Sequence, residues 1–336
     1  MYRNKQTGFL EAPTVHLLAS SLVSDPELIP PDFHSRFRII SPKPEALKDE
    51  QSLKNYFLST RVPIERIILG QEPLNQSLMK LAPHLKLVSK YGVGLNNLDT
   101  KSMETRHLKL GYSPGVNASS VALVALGLML DVTRKLSESS RLMKNGVWKR
   151  PTGTRDLSSL TVGILGFGHI GQALARSLAP IGARVIAHDL RQKTGSRLIP
   201  PVCFCNLETL LKESDILSVH IPYHRLNHHF IGSKELKSMR KGIVLINTSR
   251  GGILDEGALL KSLQSEQVSH YASDVFEREP KPRRDLVRHP SVTATPHLSA
   301  SSLEARRAMA DAAFKNLTCA KSISHWRRAL PPRSLS

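Results

Sequence analysis

From Thr161 onward, short runs of apolar and β-branched residues alternate with stretches whose apolar positions recur at helical spacing. The strand-like runs are Thr161–Leu165, Arg184–His188, Ile216–His220, Ile243–Asn247, Val268–Ser273 and Val292–Thr295. The helical stretches between them include Leu207–Ser214, Ser233–Arg240 and Glu256–Leu263. This alternation predicts a parallel sheet covered by helices. Several of the runs are apolar on both sides, as strands buried on both faces should be. The first third of the chain carries a separate, weaker βα pattern. Thr14–Ser20, Arg36–Ile40, Arg66–Leu69 and Lys86–Ser89 read as strands, and Leu74–Leu81 as a helix. Between the two patterns lies Asn117–Leu136, which opens on a favourable N-cap and is apolar around most of a helix. Such a helix is expected to be buried on several sides, between domains or between subunits. Helical periodicity returns at Ser302–Ser322, so the smaller domain is expected to use both chain ends. The pattern predicts an α/β protein: a doubly wound parallel sheet over 113–299, and a smaller α/β domain from 1–112 and 300–336.

Composition agrees with this picture. The chain has 336 residues, 40% of them hydrophobic, enough for a sizeable core and for two domains. No apolar run reaches the roughly 20 residues needed to cross a bilayer. Val15–Val23 is too short and too interrupted by His16, Ser20 and Ser21 for a signal peptide. Three cysteines, Cys203, Cys205 and Cys319, fit a reducing compartment, and a cytoplasmic location is expected. Cys203 and Cys205 read as buried or half-buried thiols, and no metal is expected. The formal charge of +19 draws anionic substrates inward. Basic residues are scattered, although the tail gathers Lys321, Arg327, Arg328 and Arg333. No nucleic-acid motif accompanies them, so a nucleic-acid partner is not expected.

Residues 160–171 read LTVGILGFGHIG. Gly166, Gly168 and Gly171 form G-x-G-x-x-G directly after a predicted strand and at the start of a predicted helix that takes in His169 and Ile170. The first glycine permits the tight turn, the second lets a pyrophosphate approach the backbone, and the third lets helix and strand pack closely. The pyrophosphate would rest on the helix N-terminus. The next strand ends at Asp189, 23 residues after Gly166. A carboxylate there accepts hydrogen bonds from ribose hydroxyls and repels a 2′-phosphate, which favours NAD over NADP. Arg191 and Lys193 follow it and offer charge to a 2′-phosphate.

Three late strands run into residues suited to hydride transfer at a 2-oxo acid. That reaction needs a cation for the carboxylate, a general acid for the developing alkoxide and a partner for that acid. Arg250 follows Ile243–Asn247, Glu279 follows Val268–Ser273, and His297 follows Val292–Thr295. Ligands in open α/β sheets bind beyond the carboxyl ends of strands, so the three could converge there. On spacing alone, each also reads as a surface charge or a loop histidine.

Ordered motifs extend the case: KYGVGLNNLD at Lys90–Asp99, SPGVNASSVA at Ser113–Ala122, NGVWKR at Asn145–Arg150 and SDILSVHIP at Ser214–Pro222. INTSRGGILDEGAL at Ile246–Leu259, DVFEREP at Asp274–Pro280 and TPH at Thr295–His297 complete them. From about Arg66 to about Met309 the sequence resembles the D-isomer-specific 2-hydroxyacid dehydrogenases, and within them the phosphoglycerate dehydrogenases. The resemblance implies a Rossmann NAD-binding domain beside a flavodoxin-like one, and hydride transfer between nicotinamide and C2 of a small 2-hydroxy or 2-oxo acid. It implies that Arg250 binds the substrate, that His297 is the acid/base and that Glu279, the glutamate before proline, pairs with it. Asp274 would hold the nicotinamide carboxamide, Pro222 would line the nicotinamide pocket, and Thr248 would join the cofactor contacts. Val93 and Gly94 would receive the substrate carboxylate, with Lys90 and Asn97 nearby, while His220 reads as a core or strand-end histidine. A homodimer through Asn117–Leu136 is also implied.

The chain departs from the family pattern at Asn96, where Asp is frequent, at Leu123 (Glu), at His224 and Asn227 (Thr) and at Ser299 (Gly). ILGQEPL at Ile68–Leu74 resembles one group of phosphoglycerate dehydrogenases but lacks the arginine another group places near Gly70. The chain ends at Ser336, without length for the C-terminal regulatory domains of some relatives. The favoured activity is therefore 3-phosphoglycerate oxidation in serine biosynthesis. Glyoxylate/hydroxypyruvate reduction and D-lactate oxidation are the enzymatic alternatives, and an NAD-sensing corepressor-like scaffold is the non-enzymatic one.

Overall fold

A computed structural model describes residues 12–190 and 202–326. Arg191, Lys193, Arg327, Arg328 and Arg333, singled out above, lie outside the described residues. The chain forms two compact units. Among the described residues, one comprises 12–116 together with 306–326, and the other lies within Asn117–Ala305.

The first unit is built on strands β1 (Thr14–Leu17), β2 (Arg38–Ile40), β3 (Arg66–Leu69), β4 (Leu87–Lys90) and β5 (Lys109–Gly111). They pair in parallel in the order β2-β1-β3-β4-β5, the flavodoxin-like arrangement. Its core gathers Leu18, Leu53, Phe57, Ile67, Leu69, Leu78, Val88 and Leu110, all at 4% exposure or less. Several sequence boundaries move. The first strand stops at Leu17 instead of Ser20, because the Glu72 carboxylate takes the Ser20 N–H and a helix begins there. Arg36 closes the short helix Phe33–Arg36 instead of opening β2. The helix expected from Leu74 begins at Gln76, since the Asn75 side chain caps it by accepting the Leu78 N–H at 3.0 Å. The final helix spans Leu303–Cys319 and stops short of Ser322. Lys321–Ser322 instead pairs antiparallel with β5 at the sheet edge.

In the second unit, β6 (Thr161–Leu165), β7 (Arg184–His188), β8 (Cys203–Phe204), β9 (Ile216–Val219), β10 (Ile243–Asn247), β11 (Val268–Ser273) and β12 (Val292–Ala294) form one parallel sheet. Its order is β8-β7-β6-β9-β10-β11-β12. The chain reverses direction of travel between β6 and β9, the switch point of the Rossmann arrangement. Alternate strand residues serve two cores. Leu165, Leu217, Val219, Ile243 and Leu245 pack with Leu210, Leu236 and Leu259 of the crossover helices. Val162, Ile164, Ile216 and Ile246 pack with Ala122, Ala125, Met129 and Leu174.

The long helix Ala118–Arg134 is not buried all round within the chain. Val121, Ala122, Ala125, Leu128 and Met129 face inward, while Leu123 and Leu130 are 57% and 37% exposed. Asn117 occupies the N-cap position, but its side chain does not cap the helix. Lys135 turns the chain in a left-handed conformation (φ 54°) into a second helix, Leu136–Lys144. Cys205 is half-buried, as expected, whereas Cys203 is exposed against expectation; Cys319 is exposed as well. Among the described residues no helix is long and apolar enough to cross a membrane.

Candidate active site

The glycine turn between β6 and the helix His169–Leu178 assigns each glycine a physical reason. Gly166 has φ 95°, and a Cβ there would stand 2.8 Å from the His220 carbonyl oxygen. A side chain is thus excluded twice, by conformation and by the neighbouring strand. A Cβ on Gly171 would collide with the Gly166 carbonyl oxygen, so the third glycine sets how closely helix and turn approach. Gly168 differs: a Cβ there would meet no atom within 4 Å. The chain leaves that space open beside the helix N-terminus, where unpaired N–H groups gather. Asp189, after β7, accepts the Phe167 N–H at 2.7 Å, tying the end of the second strand to the glycine turn.

The three residues expected to do chemistry all lie beyond the carboxyl edge of this sheet. Arg250 follows β10 in extended conformation, and its Nη1 donates to the Ser249 carbonyl at 2.7 Å. The loop that carries it is braced by Asn247, which is fully buried. The Asn247 amide donates to the Arg250 carbonyl (3.1 Å) and its Oδ1 accepts from the Ser249 N–H (3.0 Å) and hydroxyl (2.7 Å). Gly251 lies directly against the Phe276–Glu277 peptide, where any Cβ would clash. The arginine loop is therefore packed onto the segment that delivers Glu279.

His297 and Glu279 meet. His297 Nδ1 lies 2.7 Å from Glu279 Oε2, and Glu279 Oε1 accepts the Phe276 N–H at 2.9 Å. Both side chains are partly exposed, at 28% and 35%. Burial pushes the Glu279 carboxyl upward. The His297 hydrogen bond, the Phe276 N–H and the charges of His297 and Arg250 outweigh it and hold the group below the ordinary glutamate range. Arg250 is thus electrostatically coupled to the pair. Glu279 precedes Pro280 across a cis peptide bond.

Behind His297 sits Asp274, with no exposed surface. Its carboxylate accepts four hydrogen bonds from the following turn. Thr295 Oγ1 (2.6 Å) and the Leu298 N–H (2.8 Å) reach Oδ1, and the Ser299 N–H (2.8 Å) and Oγ (2.5 Å) reach Oδ2. His297 itself is left-handed, φ 52°, and donates its N–H to the Asp274 carbonyl at 2.9 Å. Nearby, His220 is buried, hydrogen-bonded to Ser218 Oγ at 2.8 Å and driven down by burial to about 3. It is a neutral strand-end histidine. Pro222 follows it, with its carbonyl accepting the Asn227 amide at 2.7 Å; Asn227 Oδ1 also takes the His224 N–H at 2.8 Å.

Thr248 is buried with its hydroxyl lacking a hydrogen-bond partner. An orphaned buried hydroxyl at the carboxyl edge of the sheet that also carries the glycine turn is the condition a polar ligand would relieve. His169 is exposed and Ile170 half-buried in the first turn of the glycine-motif helix. These features fit a dinucleotide. When bound, the nicotinamide supplies or takes up hydride.

Four residues expected to serve the substrate belong to the other unit. Lys90 is only 4% exposed; its ammonium binds the Gly70 carbonyl and reaches Asn97 Oδ1 at 3.0 Å. Asn97 donates to the carbonyls of Gly70 (3.1 Å) and Glu72 (2.6 Å). Glu72 in turn accepts the N–H groups of Ser20 and Gly70, each at 2.8 Å. Lys90 and Asn97 therefore build the loop from within. Val93 and Gly94 are half-buried at its rim, and the Val93 carbonyl accepts Tyr112 Oη at 3.1 Å.

Residues 126–299 match the family described as D-isomer specific 2-hydroxyacid dehydrogenase, NAD binding domain. The chain belongs to that family. It is an NAD-dependent oxidoreductase acting on the CH–OH group of D-2-hydroxy acids. It is 36% identical over 274 residues to a glyoxylate reductase of Thermococcus litoralis, covering 79% of this chain and 81% of that protein. A hydroxypyruvate reductase of Thermotoga maritima is 35% identical over 245 residues, 72% of this chain and 79% of the relative. A crystal structure of a glyoxylate reductase from Paecilomyes thermophila shares the fold over 92% of this chain and 95% of that one, with TM-score 0.81 at 24% identity. For a 2-hydroxyacid dehydrogenase, the bracing of the Arg250 loop by Asn247 and Gly251 was not read from the sequence. The only sequence signal was Gly251, the first glycine in Arg250-Gly251-Gly252.

Proposed function

We propose that this dehydrogenase works as a glyoxylate/hydroxypyruvate reductase, with NADH as donor. The expectation of 3-phosphoglycerate oxidation gives way, because the relatives at 35–36% identity are reductases of those two small oxo acids. A second observation supports the change. Lys90, the lysine expected beside the substrate loop, is buried and committed to Gly70 and Asn97, so it leaves no exposed ammonium there for a phosphate group.

The observation that carries the mechanism is the His297–Glu279 pair under the charge of Arg250. Arg250 pairs with the substrate carboxylate and polarises the C2 carbonyl. As C2 receives hydride, negative charge grows on the carbonyl oxygen, and the His297 ring delivers a proton to it. Glu279, whose carboxyl is held below the ordinary glutamate range, pairs with Nδ1 of the ring and fixes its orientation. The Val93–Gly94 backbone receives the substrate carboxylate, with Lys90 and Asn97 holding that loop in shape. Gly166, Gly168, His169, Ile170, Gly171, Pro222 and Thr248 serve the cofactor, and Asp189 favours NAD over NADP. The protein works as a homodimer, because the apolar outer face of Ala118–Arg134 is left exposed within one chain.

Purified protein should be given NADH with glyoxylate, hydroxypyruvate and pyruvate, and NAD with 3-phosphoglycerate and D-lactate, while NADH absorbance is followed. The expected result is a kcat/KM for glyoxylate or hydroxypyruvate at least tenfold above the others. Preference for 3-phosphoglycerate would restore the first expectation.

A further inference from the structure

Beyond the acid/base pair, the turn that carries His297 raises a separate question: what holds a non-glycine residue in a left-handed conformation at the reacting position? Such residues are uncommon and persist where their surroundings over-determine them. The surroundings here centre on one residue, Asp274. The Asp274 carboxylate binds Thr295 and Leu298 with one oxygen and Ser299 with the other, so it grips the turn on both sides of His297. The Asp274 carbonyl holds the His297 N–H between them. An ionised carboxylate offers about four acceptor sites, and here four donors from the chain take them up.

The fourth donor is the Ser299 hydroxyl, 4% exposed and 2.5 Å from Oδ2. The same residue is anchored from the opposite side, where its carbonyl accepts Ser120 Oγ, at 2.6 Å, from the long helix Ala118–Arg134. Ser299 therefore joins the buried carboxylate to a rigid element.

We propose that Ser299 is a positioning residue for the hydride-transfer reaction: by completing the donor set of Asp274 it fixes the turn that aims His297. Asp274, buried and occupied on both oxygens, holds that turn. The inference rests on the acid/base role given to His297.

The test uses Ser299→Ala and Asp274→Asn in the full chain, with glyoxylate reduction and fluorescence titration of NADH measured separately. Ser299→Ala keeps the backbone donor and removes only the hydroxyl. It is expected to lower kcat about tenfold, since a misplacement of 1 Å costs on the order of 10²-fold. NADH affinity and the KM for glyoxylate should stay within about twofold, the pattern of an interaction lost only in the transition state. Asp274→Asn, which alters the acceptor of the same hydroxyl, is expected to lower kcat more strongly. Unchanged kcat in Ser299→Ala, or a fivefold or larger change in NADH affinity in that variant with kcat retained, would overturn the proposal. If Asp274→Asn fails to fold, Ser299→Ala decides alone. Full turnover in a parallel His297→Ala variant would instead remove the acid/base assignment, and this inference with it.

Discussion

His297 Nδ1 stands 2.7 Å from Glu279 Oε2, while the other oxygen of Glu279 is held by the Phe276 N–H. The carboxylate is thus locked before any substrate arrives. A locked carboxylate orients the ring that must deliver a proton to the product alkoxide. Glu279→Gln keeps the shape and removes the charge. It is expected to lower kcat for glyoxylate reduction by roughly 10²-fold while NADH titrates as in the wild type. Turnover close to wild type would show that the carboxylate is dispensable.

The same carboxylate gives stability a pH dependence. Glu279 is held below the ordinary value of 4.5 by His297, Phe276 and Arg250, against the opposing effect of burial. A depressed folded-state pKa contributes stability above the unfolded value and loses it as pH falls through the folded one. The difference in melting temperature between wild type and Glu279→Gln should therefore be full at pH 7 and shrink below about pH 4.5. Thermal denaturation of both proteins across that range checks it; a difference that grew on acidification would contradict the sign.

Gly168 and Gly171 should fail in different ways. A Cβ at Gly168 meets nothing in the chain, whereas one at Gly171 strikes the Gly166 carbonyl. Gly168→Ala is expected to melt like the wild type yet bind NADH at least tenfold more weakly, because the methyl would occupy cofactor space. Gly171→Ala should lose about 1–3 kcal/mol of stability through overpacking. Equal NADH affinity in Gly168→Ala would mean that the pyrophosphate lies elsewhere.

Leu123, Leu130, Leu136, Met143 and Trp148 are 57%, 37%, 56%, 51% and 80% exposed. They lie along two successive helices and the segment that follows, and contiguous exposed apolar surface marks an association site. Sedimentation should find a dimer, and Leu123→Glu or Leu130→Glu should shift it to monomer at micromolar concentration. A monomeric wild type would refute the dimer.

The larger parallel sheet was legible because several of its strands, such as Thr161–Leu165 and Ile243–Asn247, are apolar on both sides. The glycine turn was legible because steric demands at Gly166 and Gly171 leave few other residue types. Element ends were less so. Nothing local at Ser20 announces that a distant carboxylate, Glu72, will take its N–H and start a helix. Asn117 looked like a cap, yet its side chain makes no capping hydrogen bond. Lys90 and Asn97 were placed near the right loop, but whether a polar group faces inward or outward depends on tertiary partners, here Gly70 and Glu72. Ser299 stood out in the sequence only as a departure from the family pattern; its bond to a buried carboxylate is a property of the folded turn.

The most direct test of the mechanism replaces His297 with Asn and compares NADH binding and glyoxylate turnover in one preparation. The expected result is an NADH affinity like that of the wild type and a kcat reduced by about 10²–10⁴-fold, the usual worth of a positioned general acid. Turnover within tenfold of the wild type at equal NADH affinity would contradict it.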